Sequence, residues 1–334
     1  MTAVVWPATM STKDRDNLST SRLIWKRFLV LFPYLILVGA LGFLYGELKN
    51  IDWGEFRKEL MSRPPTQILT ALGLVLVNYL WLSFYDLLSL RQLGRRLPLL
   101  TVVTTSFAAF SITNTVGHSL VTGLGIRLKR YKDFGLGAGQ IARLVLLNME
   151  TWWIGFLFLM GAVIVNVPIP IQNLGFTSYI TSLVGLGLLI LTALYLGACL
   201  RMAGGKVRFF GREMTLPDLS IGIQKVFIGA VDTFFVSLTL YVLLPPSHSL
   251  SFLQFFSFHL TAHLTGIVTM VPGGLGVLEG VLLHFLRPYG PNAAILASIL
   301  MFRVVHYFLP LAVTLILETL EPCVRAGRRW LNFS

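Results

Sequence analysis

Apolar residues run along this chain in blocks of membrane length separated by short polar stretches, and those blocks set its architecture. At about 20 apolar residues per crossing, the pattern predicts helices over Phe28 to Gly46, Thr66 to Leu90, Ala138 to Val167, Thr177 to Leu200, Leu219 to Leu244 and Ala293 to Leu320. Two more apolar blocks, Leu97 to Ile126 and Leu250 to Leu286, are broken in the middle. The first carries Thr113-Asn114-Thr115, Gly117-His118 and Gly123-Leu124-Gly125; the second carries Val271-Pro272-Gly273-Gly274-Leu275-Gly276. Hydrocarbon offers no water to satisfy freed N–H and C=O groups, so such breaks survive only where protein buries them or where they line a polar cavity. Each block therefore predicts a bent hairpin. The expected fold is an all-α polytopic membrane protein with about six full transmembrane helices and two broken or re-entrant hairpins.

The same order recurs. Residues 28–167 and 177–320 each read helix, helix, hairpin, helix, in opposite orientation, and at one offset Ser106-Phe107 matches Ser257-Phe258 while Gly123-Leu124-Gly125 matches Gly274-Leu275-Gly276. An inverted repeat with broken helices places a site near the midplane, at the interface of the halves.

Composition and charge sharpen this picture. The chain has 334 residues, 55% hydrophobic and 13% charged, with mean hydropathy +0.74, which excludes an ordinary soluble domain. The net charge of +12 does not point to nucleic acid, because the bases sit between spans and report topology. Lys13, Arg15, Arg22, Lys26 and Arg27 precede the first span, and Arg325, Arg328 and Arg329 follow the last. Both the segment 1–27 and the tail 321–334 are thus expected in the cytoplasm of a multi-pass protein of the bacterial inner membrane. The opening 27 residues show no cleavable signal pattern, so Phe28 onward reads as a retained span. Glu47 to Pro65 balances acids and bases and fits a short external segment with an interfacial helix. The loop Pro168 to Phe176 carries no charge. Cys199 and Cys323 form neither a disulfide framework nor a CxxC metal pair.

Ionisable groups inside spans are candidates for function because hydrocarbon penalises them. Glu150, Asp232 and Arg303 fall well inside; Arg143 and Lys225 lie nearer the cytoplasmic ends, where they could snorkel. At the repeat offset Arg303 falls within one turn of Glu150, so the pseudo-twofold axis is expected to bring these charges together, either as a structural ion pair or as part of a ligand site. In the ligand reading Arg303, helped by Arg143, holds a lipid phosphate through its guanidinium fork. Gly276 opens a half-helix whose free N–H groups suit an anion, with Glu279 in its first turn; the plainer reading makes Glu279 a cap and the glycines a packing surface. His259 and His263 share a helical face with Glu279, His284 and His306 in reach, yet no HExxH or cysteine ligand supports a metal, and hydrogen-bonded histidines fit better. Asn114 and His118 at the first break are expected to satisfy backbone first and ligand second. The PGGLG turn lacks the Lys-Ser/Thr of a P-loop, no GxSxG is present, and no cofactor is expected. Trp152-Trp153 with Phe156 and Phe158 fits packing or an acyl-chain contact.

The PGGLGVLEGVLL turn, the FRVVHYFLP helix at Phe302 to Pro310 and the run from Tyr85 to Tyr131 together resemble the lysylphosphatidylglycerol synthase transmembrane family, and more narrowly the YbhN-like inner-membrane proteins. The resemblance spans roughly Ser21 to Arg329. It implies the lipid-flipping half of the two-domain synthases without their soluble aminoacyl-transferase domain. It carries over Asn114, Gly123, Gly125 and Arg127 in the first hairpin, Arg143 in the next helix, Pro272, Gly273, Gly274, Gly276 and Glu279 in the turn, and Arg303 in the last helix. Many members have a Pro-Gly-Arg-x-Gly-Glu pattern in the first hairpin; here Leu120 to Ile126 lacks its Pro and Glu, which weakens the case that both hairpins bind ligand equally. The expected function is alternating-access movement of a phospholipid or lipid-linked intermediate between leaflets, without catalysis. Glu279 and Asp232 tune charge or carry a coupling proton in that reading. The partners are membrane lipids, anionic or phosphate-bearing, with a homo-oligomer or a lipid-synthesis enzyme as further options. Two rivals stay open: a membrane-embedded headgroup enzyme built on His259, His263 and Glu279, and a scaffold for an envelope lipid-synthesis partner.

Overall fold

The computed structural model describes residues 53–319 apart from 117–118, 169–177, 210–211, 246–248, 270, 272–273 and 275. The expected first span, the N-terminal segment, the loop at 169–176, the C-terminal tail, His118, Pro272 and Gly273 lie outside the described residues. Helix α1 (Trp53–Met61) is the short helix expected before the second span. Next come α2 (Pro65–Trp81) and α3 (Ser83–Gln92), which together form one apolar span tightened at Leu82, where the Ser83 hydroxyl takes the Leu80 carbonyl at 2.6 Å. The first hairpin is α4 (Leu99–Val116) with α5 (Ser119–Tyr131); α6 (Ala138–Asn166), α7 (Ser178–Arg201) and α8 (Leu219–Val242) follow. The second hairpin is α9 (Phe252–Val268) with α10 (Val277–Leu286), and α11 runs from Asn292 to Thr319.

Five of these helical segments are long and apolar enough to cross a membrane: Pro65–Gln92, Ala138–Asn166, Ser178–Arg201, Leu219–Val242 and Asn292–Thr319. Their bounds fall within two residues of those read from hydropathy, because a span must match the bilayer and each apolar block has charged or Pro-rich ends. The one element that hydropathy missed is a small antiparallel hairpin, β1 (Lys206–Phe209) and β2 (Arg212–Thr215), in the basic loop between α7 and α8, with Lys206 opposite Thr215. The other elements among the described residues are helices, and the chain is an all-α polytopic membrane protein.

Chain parity puts the two hairpins on opposite faces, and contacts agree. On the face that carries Pro64, Gln67 donates to the carbonyls of Val242 and Leu244 at 2.6 and 2.8 Å, and Ser257 to that of Val167 at 2.9 Å. On the other, basic face Lys129 and Arg130 of α5 both pair with Glu318 at the end of α11. The legs of each hairpin pack on each other.

The tightest helix crossing joins α6 to α8. A Cβ added at Gly155 would lie 2.4 Å from backbone atoms of Gly229 and Ala230, and one at Gly229 would lie 2.5 Å from the Thr151 carbonyl oxygen. Small residues let backbones approach where lipid supplies no hydrophobic drive between helices. The apolar core is continuous from Ala71, Val75 and Tyr79 of α2 through Leu240 of α8 to Leu282, Ile299 and Phe302. By contrast α7 turns Leu183, Val184, Ile190 and Leu194 outward, as expected of a peripheral, lipid-facing helix.

Substituting Gly155→Ala should lower the thermal unfolding midpoint in detergent, at a cost of about 1–3 kcal/mol for forced overpacking. Gly187→Ala, on α7 where an added Cβ meets nothing within 4 Å, should leave the midpoint unchanged. Equal behaviour of the two variants would show that the α6–α8 crossing is looser than described.

Candidate functional site

The tips of both hairpins converge on one short stretch of α11, and the reason lies in Pro310. A proline has no N–H, so it cannot bond the carbonyl four residues back, that of His306. Around that position α11 opens into a π turn over Val304–Phe308, in which the Leu309 N–H reaches back to the Val304 carbonyl. The carbonyls beside the proline go to other elements. Tyr79 of α2 donates its hydroxyl to His306 O at 3.0 Å, and Thr115 at the tip of the first hairpin donates to Tyr307 O at 3.2 Å. Asn114 is half-buried in the same hairpin tip.

From the other side comes the tip of the second hairpin. Gly274 and Gly276 sit at φ +62° and +78°, the left-handed region that L side chains avoid, so glycine is required at both. Gly276 starts α10, and its N–H donates to Glu279 Oε2 at 2.8 Å; the other oxygen, Oε1, receives Nε of Arg303, the residue just ahead of the π turn. The Arg303 guanidinium also lies 5.7 Å from the centre of the Tyr307 ring. Glu279 is 2% exposed and Arg303 8% exposed, so this is a desolvated pair, to which a capping hydrogen bond is added.

Several expectations are thereby corrected. Arg303 does not meet Glu150: it faces α10, whereas Glu150 of α6 sits 2.8 Å from Lys225 of α8, with the Tyr195 hydroxyl of α7 at 3.3 Å. The Lys225 contact is close as an ion pair but not aligned as a hydrogen bond. A shared offset along the sequence is not proximity in space; α6 packs on α7 and α8, and each charge takes its partner there. Lys225, fully buried, does not snorkel. Arg143 does not assist Arg303 either, since five residues into α6 it points to the exposed side. Of the two readings left open at Gly276, the N–H follows the capping one and holds the chain's own Glu279 carboxylate.

A second buried pair was missed at one of its ends. Arg127 of α5, which the family resemblance carries over as a binding residue, is instead 2% exposed and grips Asp86 of α3: Nε lies 3.1 and 2.9 Å from the two oxygens and Nη2 lies 2.8 Å from Oδ1. Nη1 donates to the Gly123 carbonyl at 3.1 Å, and the guanidinium stacks 4.8 Å over Phe110. A Cβ on Gly123 would meet Thr113 Oγ1 at 2.7 Å and Arg127 Nη1 at 2.9 Å, which explains a glycine there. Tyr131 and Asn148 donate to Asp86 at 2.6 Å each, and Ser89 donates to Asn148 Oδ1 at 2.7 Å. The signal was available: Asp86 is an ionisable residue inside an apolar span, as Asp232 is.

Asp232 of α8 has no base paired with it among the described residues; each carboxyl oxygen takes one neutral donor, Asn78 Nδ2 and Tyr85 OH, both at 2.8 Å. Nearby, the buried His259 shares a hydrogen bond of 2.7 Å between Nδ1 and Ser237 Oγ. His263 packs against Trp152 and Phe156, which makes those two rings part of the packing, whereas Phe158 of the same group is exposed. Among the described residues no three His, Cys, Asp or Glu side chains converge as a metal-ligand set.

Chemically, this junction can hold an anion only by exchange. Arg303 has a carboxylate already, so an incoming phosphate must compete with Glu279 for it.

Comparison with known proteins adds the relatives. No family model matches the chain. An uncharacterized protein of Synechocystis sp. is 32% identical over 298 residues, covering 86% of this chain and 90% of that protein. The inner membrane protein YbhN of Escherichia coli is 27% identical over 301 residues, 90% of this chain and 94% of its own length. A phosphatidylglycerol lysyltransferase of Staphylococcus haemolyticus is 21% identical over 294 residues, 87% of this chain but only 34% of that enzyme.

The stability of the Glu279–Arg303 pair is open to a two-step test. Arg303→Ala, which strands a buried carboxylate, should cost about 3–5 kcal/mol, and the double variant with Glu279→Ala should recover most of that loss. About 1 kcal/mol should remain for the uncapped α10 N-terminus. The readout is the fraction folded across an SDS titration in mixed micelles. A double variant no better than Arg303→Ala alone would contradict the pairing.

Proposed function

The chain belongs to the YbhN-like branch of the lysylphosphatidylglycerol synthase transmembrane family, and from that premise we propose that it moves an amphipathic lipid with a phosphate-bearing headgroup between the leaflets of the bacterial cytoplasmic membrane. The observation that supports this best is the convergence of two oppositely inserted hairpins on Arg303–Tyr307 of α11, a stretch where backbone and ionisable side chains are buried deep in an apolar protein. Polar groups at membrane depth are expensive and suit a substrate path. The phosphatidylglycerol lysyltransferases, whose matching region is about a third of their length, are named for a reaction on a phospholipid, which agrees with a lipid as cargo.

In the proposed cycle the headgroup phosphate displaces Glu279 from Arg303 and takes the bidentate guanidinium. Glu279 keeps the Gly276 N–H. Asp232, held by two neutral donors, is the carboxyl free to take a coupling proton, because no ion pair must be broken to charge or discharge it. Moving the hairpins against α11 opens first one face and then the other. On the basic face, the Lys129 and Arg130 clasp on Glu318 must release for the path to open. Both termini lie in the cytoplasm in this reading, and no nucleotide or metal takes part. The chain acts as a transporter, not an enzyme.

Leaflet exchange of fluorescent phospholipids in proteoliposomes tests this directly. Wild type should exchange lipid, Arg303→Lys, which retains a charge for Glu279, should slow exchange by about tenfold through loss of one hydrogen bond of the fork, and Arg303→Ala should abolish it, with folding and insertion checked in each case. Full exchange with Arg303→Ala would remove the proposed site. No exchange by wild type with anionic or zwitterionic lipids would sink the transport reading.

A further inference from the structure

Four bases are buried among the described residues: Arg63, Arg127, Lys225 and Arg303. Three have a carboxylate at ion-pair distance, Asp86, Glu150 and Glu279 respectively. Arg63 does not. Its side chain comes from the link between α1 and α2 and lies against the first turns of α11, where Nη2 donates to the Ala294 carbonyl at 3.2 Å and to Ser298 Oγ at 3.0 Å. Both acceptors are neutral. Nε and Nη1 are buried and have no hydrogen-bond partner among the described residues. The residue as a whole is only 6% exposed. The nearest acid in the sequence, Glu59, acts on Arg63 only through its field, while burial pulls the guanidinium pKa down from its usual value.

A guanidinium sealed in this way costs several kcal/mol unless an anion offsets it. The other three sites obey that rule with protein carboxylates, so the exception calls for an anion from elsewhere. Its surroundings indicate which kind. Arg63 precedes Pro64-Pro65, at the very start of the span Pro65–Gln92. Beside it α1 packs on α11 with Arg57, Lys58 and Met61 exposed, the mixture of cationic and apolar side chains that suits a bilayer interface. This is the depth of lipid phosphates, on the face opposite the Lys129–Glu318 clasp.

We infer that Arg63, with Ala294 and Ser298 fixing its guanidinium against α11, is a binding site for a phosphate group at the membrane surface, that of a phospholipid headgroup. A phosphate oxygen accepts from Nε or Nη1, and the exposed Arg57 and Lys58 add a screened attraction. The site stands apart from the Arg303 junction and does not require that the protein transport anything: a lipid held here is a resident or a cargo waiting at one face.

The test uses the purified full chain in detergent and reads lipid retention by native mass spectrometry. The probes are dioleoyl phosphatidate, dioleoylglycerol, which lacks the phosphate, and sodium phosphate as a competitor. Wild type should bind phosphatidate at least tenfold more tightly than Arg63→Gln, should show no such difference for dioleoylglycerol, and should behave like Gly187→Ala, on α7 away from both sites. Displacement of phosphatidate by millimolar phosphate would identify free phosphate as the source of the anion; resistance to it would identify the lipid. Equal phosphatidate affinity of Arg63→Gln and wild type overturns the site. Should Arg63→Gln fail to fold, hydrogen exchange on wild type decides: phosphatidate but not dioleoylglycerol should slow exchange over residues 57–68 and 292–300, and its failure to do so is equally fatal. Leaflet exchange enters none of these readouts, so a protein that does not transport lipid can still satisfy them.

Discussion

A charge taken out of water must find an opposite charge or a set of dipoles, and in this protein that demand decides which helices lie next to one another. Packing alone offers lipid-facing and protein-facing apolar surfaces little to choose between. The ion pairs choose. Asp86–Arg127 fastens the first hairpin to the α2–α3 span, Glu150–Lys225 fastens α6 to α8, and Glu279–Arg303 fastens the second hairpin to α11. Removing either member leaves the other stranded at a cost of several kcal/mol, so each pair specifies an arrangement even where its net contribution to stability is small.

The pairs also differ in their setting, and that difference separates scaffold from site. Asp86 is surrounded by Arg127, Tyr131 and Asn148, with Ser89 and Phe110 behind them, which leaves no room for exchange. Glu279 and Arg303 meet at a backbone break, next to a π turn and two glycines whose φ values no other residue tolerates well. Helix irregularities of this kind occur where function outweighs regularity. A carboxylate that serves both as helix cap and as counter-ion can give up one role and keep the other, a property suited to a gate.

Much of the fold was legible in the sequence because the bilayer imposes a length on every crossing. Ala138–Asn166, Ser178–Arg201 and Leu219–Val242 announce themselves as apolar blocks with charged or Pro-bounded ends, and the Pro-Gly-Gly and Thr-Asn-Thr interruptions mark the two hairpins for the same reason. The pairing of charges was not legible. Residue types locate Glu150, Arg303 and Glu279, but which of them meet depends on helix rotation and crossing, and the repeat offset pointed to Glu150 for Arg303 when α10 supplies Glu279. Arg127 entered only through the family resemblance, because by charge alone it belongs with Lys129, Arg130 and Lys132 to a run that reads as a topology signal. Only its place one turn above Tyr131, on the side facing Asp86, sets it apart. Asp86 shows the opposite failure: the rule that singled out Asp232 applied equally to it. The β1–β2 hairpin lay below the reach of a hydropathy pattern because its strands are four residues each.

The π turn at Val304–Phe308 has one more residue than the α turn it replaces, and successive residues of a helix are about 100° apart around its axis. Everything beyond it is therefore turned by roughly that angle from where an unbroken helix would leave it. Glu318, three turns further on, faces Lys129 and Arg130 in this setting. Excising a single codon from the turn would rotate that carboxylate away from its two partners while leaving Arg303 in register with Glu279. The one extra residue of the turn thus sets which way the carboxylate on the basic face points relative to the deep junction.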